Sequence, residues 1–497
     1  MIVMKAEFSI LKQAFPESLS RGNIKIGVCA ALGFAVPQVI SAAEPPKKPN
    51  IVFVLADDLG WADVGYIGNR CMETPHIDKL ASEGIIFNRF YPSAANCAPS
   101  RASILTGMYT PRHHVYLPQG MSRGVQSLQR WMVPTQSIPE THNLFPVSVN
   151  NVEAKFESLA EMLSRGGYVS ARLGKWHIGD DNQGFDFSSS DGTPGLVTNV
   201  GGEEVRFYND TLVAQRLTDA AIDFIGRHKD DPFFLFLSHW EVHSPLAARK
   251  PAIARFSSQF AGTDCAGVDP IYAAETEQVD LSLGRIMAFL DSLGLADNTL
   301  LIFTSDNGGS LKYTTNLPLR GGKGGFYEGG IRTPFIARWP AKIQSGTSTN
   351  WPANGIDLMP TFAEMAGVSL PSEQPVDGIS LIPVFNDPIH QPERSMFFHF
   401  PLYLGGEEGV NLELPAFESG HPTWRAVPST TIMRGDWKMI WFYEYDRYEL
   451  YNLSEDISEA NNLAGQFPEF ENSLLKEIRE WVVAVEAPVP NVPNRKQ

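Results

Sequence analysis

Ile51-Val52-Phe53-Val54-Leu55-Ala56 runs straight into Asp57-Asp58. Six apolar residues without alternation describe a strand buried on both faces, as in a parallel sheet covered by helices. Phe233 to Leu237 and Thr299 to Thr304 are runs of the same kind. Helical signals surround them. Thr74-Pro75 starts a helix through about Glu83, with Thr as cap and Pro in the first turn. Residues 155–165, 211–227 and 356–366 carry helical spacing, and a long helix is expected within 270–293. This alternation predicts an α/β fold, a large and mostly parallel sheet sandwiched by helices. Pro and Gly thicken around 370–425. Thr431 to Tyr451, with the turn Arg434-Gly435-Asp436, reads as an antiparallel sheet, and about 468–484 reads as a helix. The predicted organisation is therefore a catalytic domain over 44–385 and a smaller C-terminal α+β subdomain over 386–497. Residues 112–152, rich in Gln, Pro and Ser, read as a long loop.

The chain has 497 residues, 43% hydrophobic and 19% charged, which suits a folded protein with a large core. A net charge of -16 argues against a general nucleic-acid binder, although a small basic pocket is compatible with it. At the N-terminus Lys12, Arg21 and Lys25 precede an apolar stretch from Ile26 to Ile40 and then Ser41-Ala42-Ala43. That pattern predicts a signal peptide over 1–43, cleaved near Ala43–Glu44, and hence an exported, periplasmic or secreted protein. An uncleaved anchor is the alternative; the stretch is short for a span and contains Pro37. No other segment reads as a membrane span. After cleavage Cys71, Cys97 and Cys265 remain, an odd number. Cys71 and Cys265 are candidates to pair, which sequence does not decide.

The candidate chemistry sits at strand ends. Asp57-Asp58 follow the first buried strand, and Asp306-Asn307 follow the third with Ser305 between. Ligands of open parallel sheets bind beyond the carboxyl ends of strands. Three Asp and one Asn are hard oxygen donors, suited to calcium or magnesium and not to zinc. Asp57-Asp58 alone reads equally as a helix cap or as solvated charge; the second pair changes that balance. Cys97 lies in Asn96-Cys97-Ala98-Pro99-Ser100-Arg101, where Pro99 and Ser100 suit a first helical turn. A cysteine at a helix N-terminus is a low-pKa nucleophile or simply a buried thiol.

The run Cys97-x-Pro99-Ser100-Arg101, continued by Leu105-Thr106-Gly107, resembles the signature of type I, formylglycine-dependent sulfatases. Other segments match that family in order: Gly174-Lys175-Trp176-His177, His243-Ser244-Pro245, Gly321-Gly322-Lys323-Gly324-Gly325 and Tyr327-Glu328-Gly329-Gly330. The resemblance covers about residues 48–368 and implies an alkaline-phosphatase-like fold. It also implies that a maturation enzyme oxidises Cys97 to formylglycine. One hydroxyl of the hydrated aldehyde attacks sulfur to give a covalent sulfate–enzyme intermediate, and the other drives sulfate release. The implied metal ligands are Asp57, Asp58, Asp306, Asn307 and the modified Cys97, around one divalent cation, calcium or magnesium, with calcium favoured by the family. Arg101 and Lys175 are expected to position the formylglycine, and His177 to accept the proton that triggers release. His243 and Lys323 are expected to bind sulfate, one of them protonating the leaving alcohol. His239 is expected to be packed behind the site. Gly321 to Gly325 is not a P-loop, because Gly-Lys-Ser/Thr is missing.

The closest resemblance is to arylsulfatase-like and N-acetylgalactosamine-sulfatase-like members. Export suits a sulfated carbohydrate, and the expected activity is exo-removal of sulfate from a galactose-type sugar. His399, His421, Trp424 and Arg425 are candidates for the substrate rim, with a purely connecting role as the alternative. The rival activities are an aryl-sulfate hydrolase, a phosphonate or phosphate monoester hydrolase of the same superfamily, and, from another class, an inactive sulfated-glycan-binding protein. A two-zinc phosphatase site would need further histidines, and none adjoins Asp306-Asn307-Gly308.

Overall fold

A computed structural model describes residues 47–118, 148–179, 182–189, 197–200, 203–206, 211–405, 424–443 and 446–489. The expected signal peptide, the middle of the 112–152 loop and His421 lie outside these residues. In chain order, β1 (Asn50–Ala56), β2 (Ile85–Phe87), β3 (Val169–Gly174), β4 (Phe187–Ser188), β5 (Phe233–Ser238), β6 (Thr299–Ser305), β7 (Phe335–Arg338) and β8 (Thr347–Thr349) form one sheet. Their spatial order is β8-β2-β7-β6-β1-β5-β3-β4. β1 pairs in parallel with β5 on one edge and β6 on the other, and β3 continues the parallel run beyond β5. Only β7 breaks the direction, running antiparallel to β6 and β2.

Every residue of β1 is buried, and successive side chains enter opposite layers. Ile51, Phe53 and Leu55 join α2 (Cys97–Thr106), α3 (Leu159–Ser164) and a later helix, Leu358–Ala366. Val52, Val54 and Ala56 join α1 (Pro75–Glu83), α4 (Val213–Arg227) and α5 (Pro270–Ser292) on the other face. The unbroken apolar run thus serves two cores at once, as expected of a helix-covered sheet.

Two local expectations change. Pro75 opens α1, but Thr74 does not cap it: its hydroxyl accepts from the Gly65 N–H at 2.7 Å and donates to Asp78 at 3.1 Å. The open donors of His76 and Ile77 go instead to Asp280 of α5, both at 2.8 Å. The helix expected over 155–165 starts only at Leu159. There Ser158 and Glu161 form a reciprocal capping box.

At the C-terminus β9 (Ser395–Phe400), β10 (Ser429–Arg434), β11 (Trp437–Phe442) and β12 (Arg447–Asn452) form an antiparallel sheet in that order. Gly435 makes the β10–β11 turn at φ +57°. The helix Pro468–Ala484 packs on one face of this sheet, and the other face packs on Tyr91, Phe326, Tyr327 and Ile331 of the larger part. Cys71 and Cys265, 194 residues apart, form a disulfide; Cys97 is the free cysteine among the described residues.

α2 is fixed from its outer side by His113. The His113 Nδ1 accepts from the Val115 N–H at 3.1 Å, so Nε2 carries the proton facing Ser103 Oγ at 2.9 Å. Burial, and then His114, push His113 down to about 3. The unfolded chain takes up this proton below about pH 6.5 while the folded chain does not. Stability from this group is therefore full above pH 6.5 and is lost progressively as pH falls toward 3. His113→Gln is expected to flatten the pH dependence of urea unfolding between pH 6.5 and 4; an unchanged slope would count against this assignment.

Candidate active site

Because β3, β5, β1 and β6 are parallel neighbours, their carboxyl ends open at one edge. Asp57-Asp58 leave β1, Asp306-Asn307 leave β6, Lys175 leaves β3, and the segment bearing His243 leaves β5. α2 points its N-terminus at this edge, with Cys97 as its first residue and Asn96 before it in extended conformation. Asp58 and His177 adopt φ of +66° and +70°, a conformation that costs energy in a non-glycine residue and gathers at functional sites.

The side chains interlock. Arg101 donates from Nε to Asp306 Oδ2 at 2.8 Å, and its Nη2 lies 2.7 Å from that oxygen and 3.5 Å from Asp57 Oδ2. Its Nη1 donates to the Lys175 carbonyl at 2.8 Å and to Ser238 Oγ. Lys175 Nζ rests against Asp57 Oδ2 and lies 3.7 Å from Cys97 Sγ. Lys323 Nζ donates to Asp58 Oδ2 at 2.6 Å, while Asn307 Nδ2 donates to Asp58 Oδ1 at 2.8 Å. His243 Nε2 stands 3.8 Å from Asp58 Oδ2. The His243 Nδ1 is 2.6 Å from the Ser244 carbonyl, which only accepts, so Nδ1 carries the hydrogen and Nε2 presents its lone pair to the site.

Burial and neighbouring charge set the protonation states. Burial, with Lys175 and Lys323 behind it, drives His243 well below its usual value; burial, Lys175 and Arg101 do the same to His177. Burial pushes Asp58 up, but Lys323, His243 and Lys175 outweigh it and hold this carboxylate below its usual range. Burial and Asp57 lift Asp306 to about 6 against Arg101 and Lys175. Burial pushes the Cys97 thiol up to about 12 despite both lysines. Unmodified Cys97 is thus not the ready thiolate that its helix N-terminus alone suggested.

The residues fit a divalent cation. Asp57 Oδ1 and Asn307 Oδ1 are buried without a hydrogen-bond donor among the described residues, while Asp57 Oδ2 faces Lys175 and Arg101. Ligand atoms of Asp57, Asp58, Cys97 and His243 lie within 4.8 Å of one another. Oxygen donors of this kind suit calcium or magnesium. Asp306 stands beside this group with Oδ2 on Arg101 and Oδ1 facing the Asp58 N–H at 3.3 Å.

The rim candidates fare differently. Trp424 is fully buried against Tyr403. His399 is buried on β9, bonded to Thr430 Oγ1 at 2.8 Å and to the Pro488 carbonyl at 3.1 Å. Neither lines a rim, because both belong to the packing of the C-terminal part. Arg425 does reach the site's border, donating to the Lys323 carbonyl at 3.4 Å. His239 is packed as expected, its Nε2 3.0 Å from Ser282 Oγ. Ser238, which receives Arg101, and Trp240, whose ring lies 5.4 Å from Lys175 Nζ, were not singled out from sequence; a place at the end of β5 was the only signal.

A parallel sheet with acid pairs and cations at its carboxyl edge defines an alkaline-phosphatase-like hydrolase of anionic esters. Residues 49–368 match the Sulfatase family model. The chain is 33% identical over 390 residues to N-acetylgalactosamine-6-sulfatase of Mus musculus, covering 72% of this chain and 68% of that one. It is 30% identical over 459 residues to steryl-sulfatase of Rattus norvegicus, covering 73% and 74%. The crystal structure of Ps i-CgsB in complex with k-i-k-neocarrahexaose aligns at a TM-score of 0.69 and 27% identity, over 88% of this chain and 93% of that one. The chain belongs to the sulfatase family and is a sulfuric ester hydrolase.

The crowded oxygens lead to a test of metal dependence. Asp57→Ala is expected to leave less than one bound divalent ion per chain by elemental analysis, with turnover of an aryl sulfate reduced about 100-fold. Chelation of the parent protein should have the same sign. Full activity in both cases would refute the metal assignment.

Proposed function

We propose that this sulfatase removes sulfate from a sulfated carbohydrate, exo-acting on a galactose or N-acetylgalactosamine type sugar, after a maturation enzyme has converted Cys97 to formylglycine. The observation that carries the reading is the grouping of buried Cys97 with Lys175, Arg101, Lys323 and His243, with Lys175 Nζ 3.7 Å from Sγ and His177 beside the same cations. A buried thiol held protonated is a poor nucleophile, whereas the cations Lys175, Arg101 and Lys323 suit the oxygens of a hydrated aldehyde and of a sulfate. The carbohydrate assignment draws support from the N-acetylgalactosamine-6-sulfatase relative and the neocarrahexaose-bound neighbour.

Calcium, held by Asp57, Asp58, Asp306, Asn307 and residue 97, would supply Lewis-acid neutralisation of the sulfate charge. The protein's own groups do the rest. Lys175 orients the side chain of residue 97, and Arg101 fixes Asp57 and Asp306 behind it. Lys323, which Asp58 keeps protonated, binds a sulfate oxygen. His243, anchored through Nδ1 on Ser244, presents Nε2 to the ester, and the proton for the leaving alcohol comes from the His243–Lys323 pair. His177, kept neutral, accepts the proton whose loss releases sulfate.

Export is supported by the 1–43 pattern and by the Cys71–Cys265 disulfide, a bond of oxidising compartments. Among the described residues no helix is long and apolar enough to cross a membrane.

Peptide mass spectrometry across residue 97, on protein from its native host, is expected to show about 18 Da less than cysteine. Cys97→Ala should abolish turnover. Among matched substrates, defined 6-sulfated galactose-type sugars should outpace aryl sulfates and phosphate esters. An unmodified Cys97 in fully active enzyme would refute the mechanism, and turnover of aryl sulfates alone would refute the sugar assignment.

A further inference from the structure

Lys323 sits on a buried glycine-rich segment that contributes few side chains of its own. The next residues, Phe326-Tyr327-Glu328, plunge into the C-terminal sheet. Glu328 is fully buried. Its Oε2 accepts from Tyr91 OH at 2.9 Å and from Arg332 at 3.2 Å, and its Oε1 lies 3.0 Å from Lys438 Nζ. Its own N–H donates to Glu459 Oε2 at 2.6 Å, while Lys438 Nζ lies 2.8 Å from Glu459 Oε1. Glu328 therefore ties three pieces together: the strand segment leading to Cys97 through Tyr91, the lysine loop, and the C-terminal sheet.

The loop's backbone also bonds to the segments that flank the site. Gly330 N–H returns to the Tyr327 carbonyl at 2.9 Å, and the Gly330 carbonyl receives Gly308 N–H at 3.0 Å, directly after Asp306-Asn307. Lys323 N–H reaches the Gly309 carbonyl at 3.0 Å, and Gly324 N–H the Ala95 carbonyl at 2.8 Å. Lys323 is thus held between the segment after Asp306-Asn307, the segment before Cys97, and the Glu328 anchor that follows it.

Lys438 is the unusual member. On β11 its neighbours Ile440 and Phe442 join an apolar cluster, yet Lys438 has no exposed surface. An apolar residue there would be cheaper for stability alone. We propose that Lys438, together with Glu459, is a positioning residue for sulfate binding, which sets the place of Lys323 through Glu328. This rests on the reading of Lys323 as a sulfate-binding cation.

The test uses the full chain with residue 97 modified, an aryl sulfate as probe, and steady-state kinetics beside thermal unfolding. Lys438→Met leaves Glu459 unpaired and should lower both Tm and kcat/KM. Lys438→Met with Glu459→Gln leaves Glu328 paired with Arg332, so Tm should recover. Its kcat/KM should remain about 100-fold below the parent, the loss that a displacement near 1 Å produces, with KM raised. In a Lys323→Met background the same double change should alter residual kcat/KM by less than about twofold. Recovery of kcat/KM together with Tm, or a full additive loss in the Lys323→Met background, would overturn the positioning role. Parent-level kcat/KM in Lys323→Met alone would instead overturn the sulfate-binding reading, and the proposal with it.

Discussion

Burial of charge is the constraint on which the site depends. Asp57, Asp58, Asp306, Arg101, Lys175 and Lys323 are all nearly inaccessible to solvent, yet lie at the mouth of one sheet edge. Ions out of water are tolerated only when paired, and the count here is even: three carboxylates and three cations. Pairing leaves no member free to move alone. Arg101 spans Asp57 and Asp306, Lys175 joins Asp57 to Cys97, and Lys323 holds Asp58. A divalent ion added to this neutral set leaves an excess of positive charge. An anionic ester, and a nucleophile gaining negative charge, would offset that excess. The same balance favours an anionic ester over a neutral one.

The sheet makes this crowding possible. Four parallel strands, β3-β5-β1-β6, deliver side chains to one edge at the close spacing of neighbouring strands, and α2 brings Cys97 with its N–H donors toward them. The backbone strain at Asp58 and His177 persists because the surroundings hold it. Asn307 and Lys323 fix Asp58 from two sides, and β3 and the Lys175 contacts fix the start of the His177 segment. Two deep cores on either face of β1 are large enough to carry such local costs.

The central strands were legible because burial on both faces writes an unbroken apolar run, and Asp57-Asp58 marked where β1 ends. Short strands such as Phe187–Ser188 carry too few residues for any period to emerge. Thr74 has the chemistry of a cap, but Asp280, 204 residues beyond His76, takes the donors, and local reading does not see such a partner. The Cys71–Cys265 bond is likewise set by tertiary approach. For His399 and Trp424, the choice between a substrate rim and a connecting role stayed open for a related reason. The Pro- and Gly-rich composition around them suggested loops at a site, whereas β9 and its partners turn them into packing. Arg101, Lys175, His177, His243 and Lys323 came from the family resemblance; an isolated lysine or histidine has no period to reveal it.

The match to the family model ends at residue 368, and a division there would suggest that the rest is an accessory. The physical connections contradict that division. Arg320 Nη1 donates to Tyr451 OH at 3.0 Å and to the Glu459 carbonyl at 3.1 Å, Tyr327 OH donates to Glu449 at 2.7 Å, and Glu328 is embedded between Lys438 and Glu459. All three tethers flank or follow the glycine-rich turn that carries Lys323. Glycine gives that turn its close approach to neighbouring backbone: a Cβ on Gly330 would lie 2.0 Å from the Gly325 carbonyl oxygen. Each Gly in it adds conformational entropy to be removed on folding. Its order comes from backbone bonds to Gly308, Gly309 and Ala95 together with the side-chain tethers on the antiparallel sheet. The contacts that hold the lysine segment therefore reach through β12 to Glu459, beyond the residues that the family model matches.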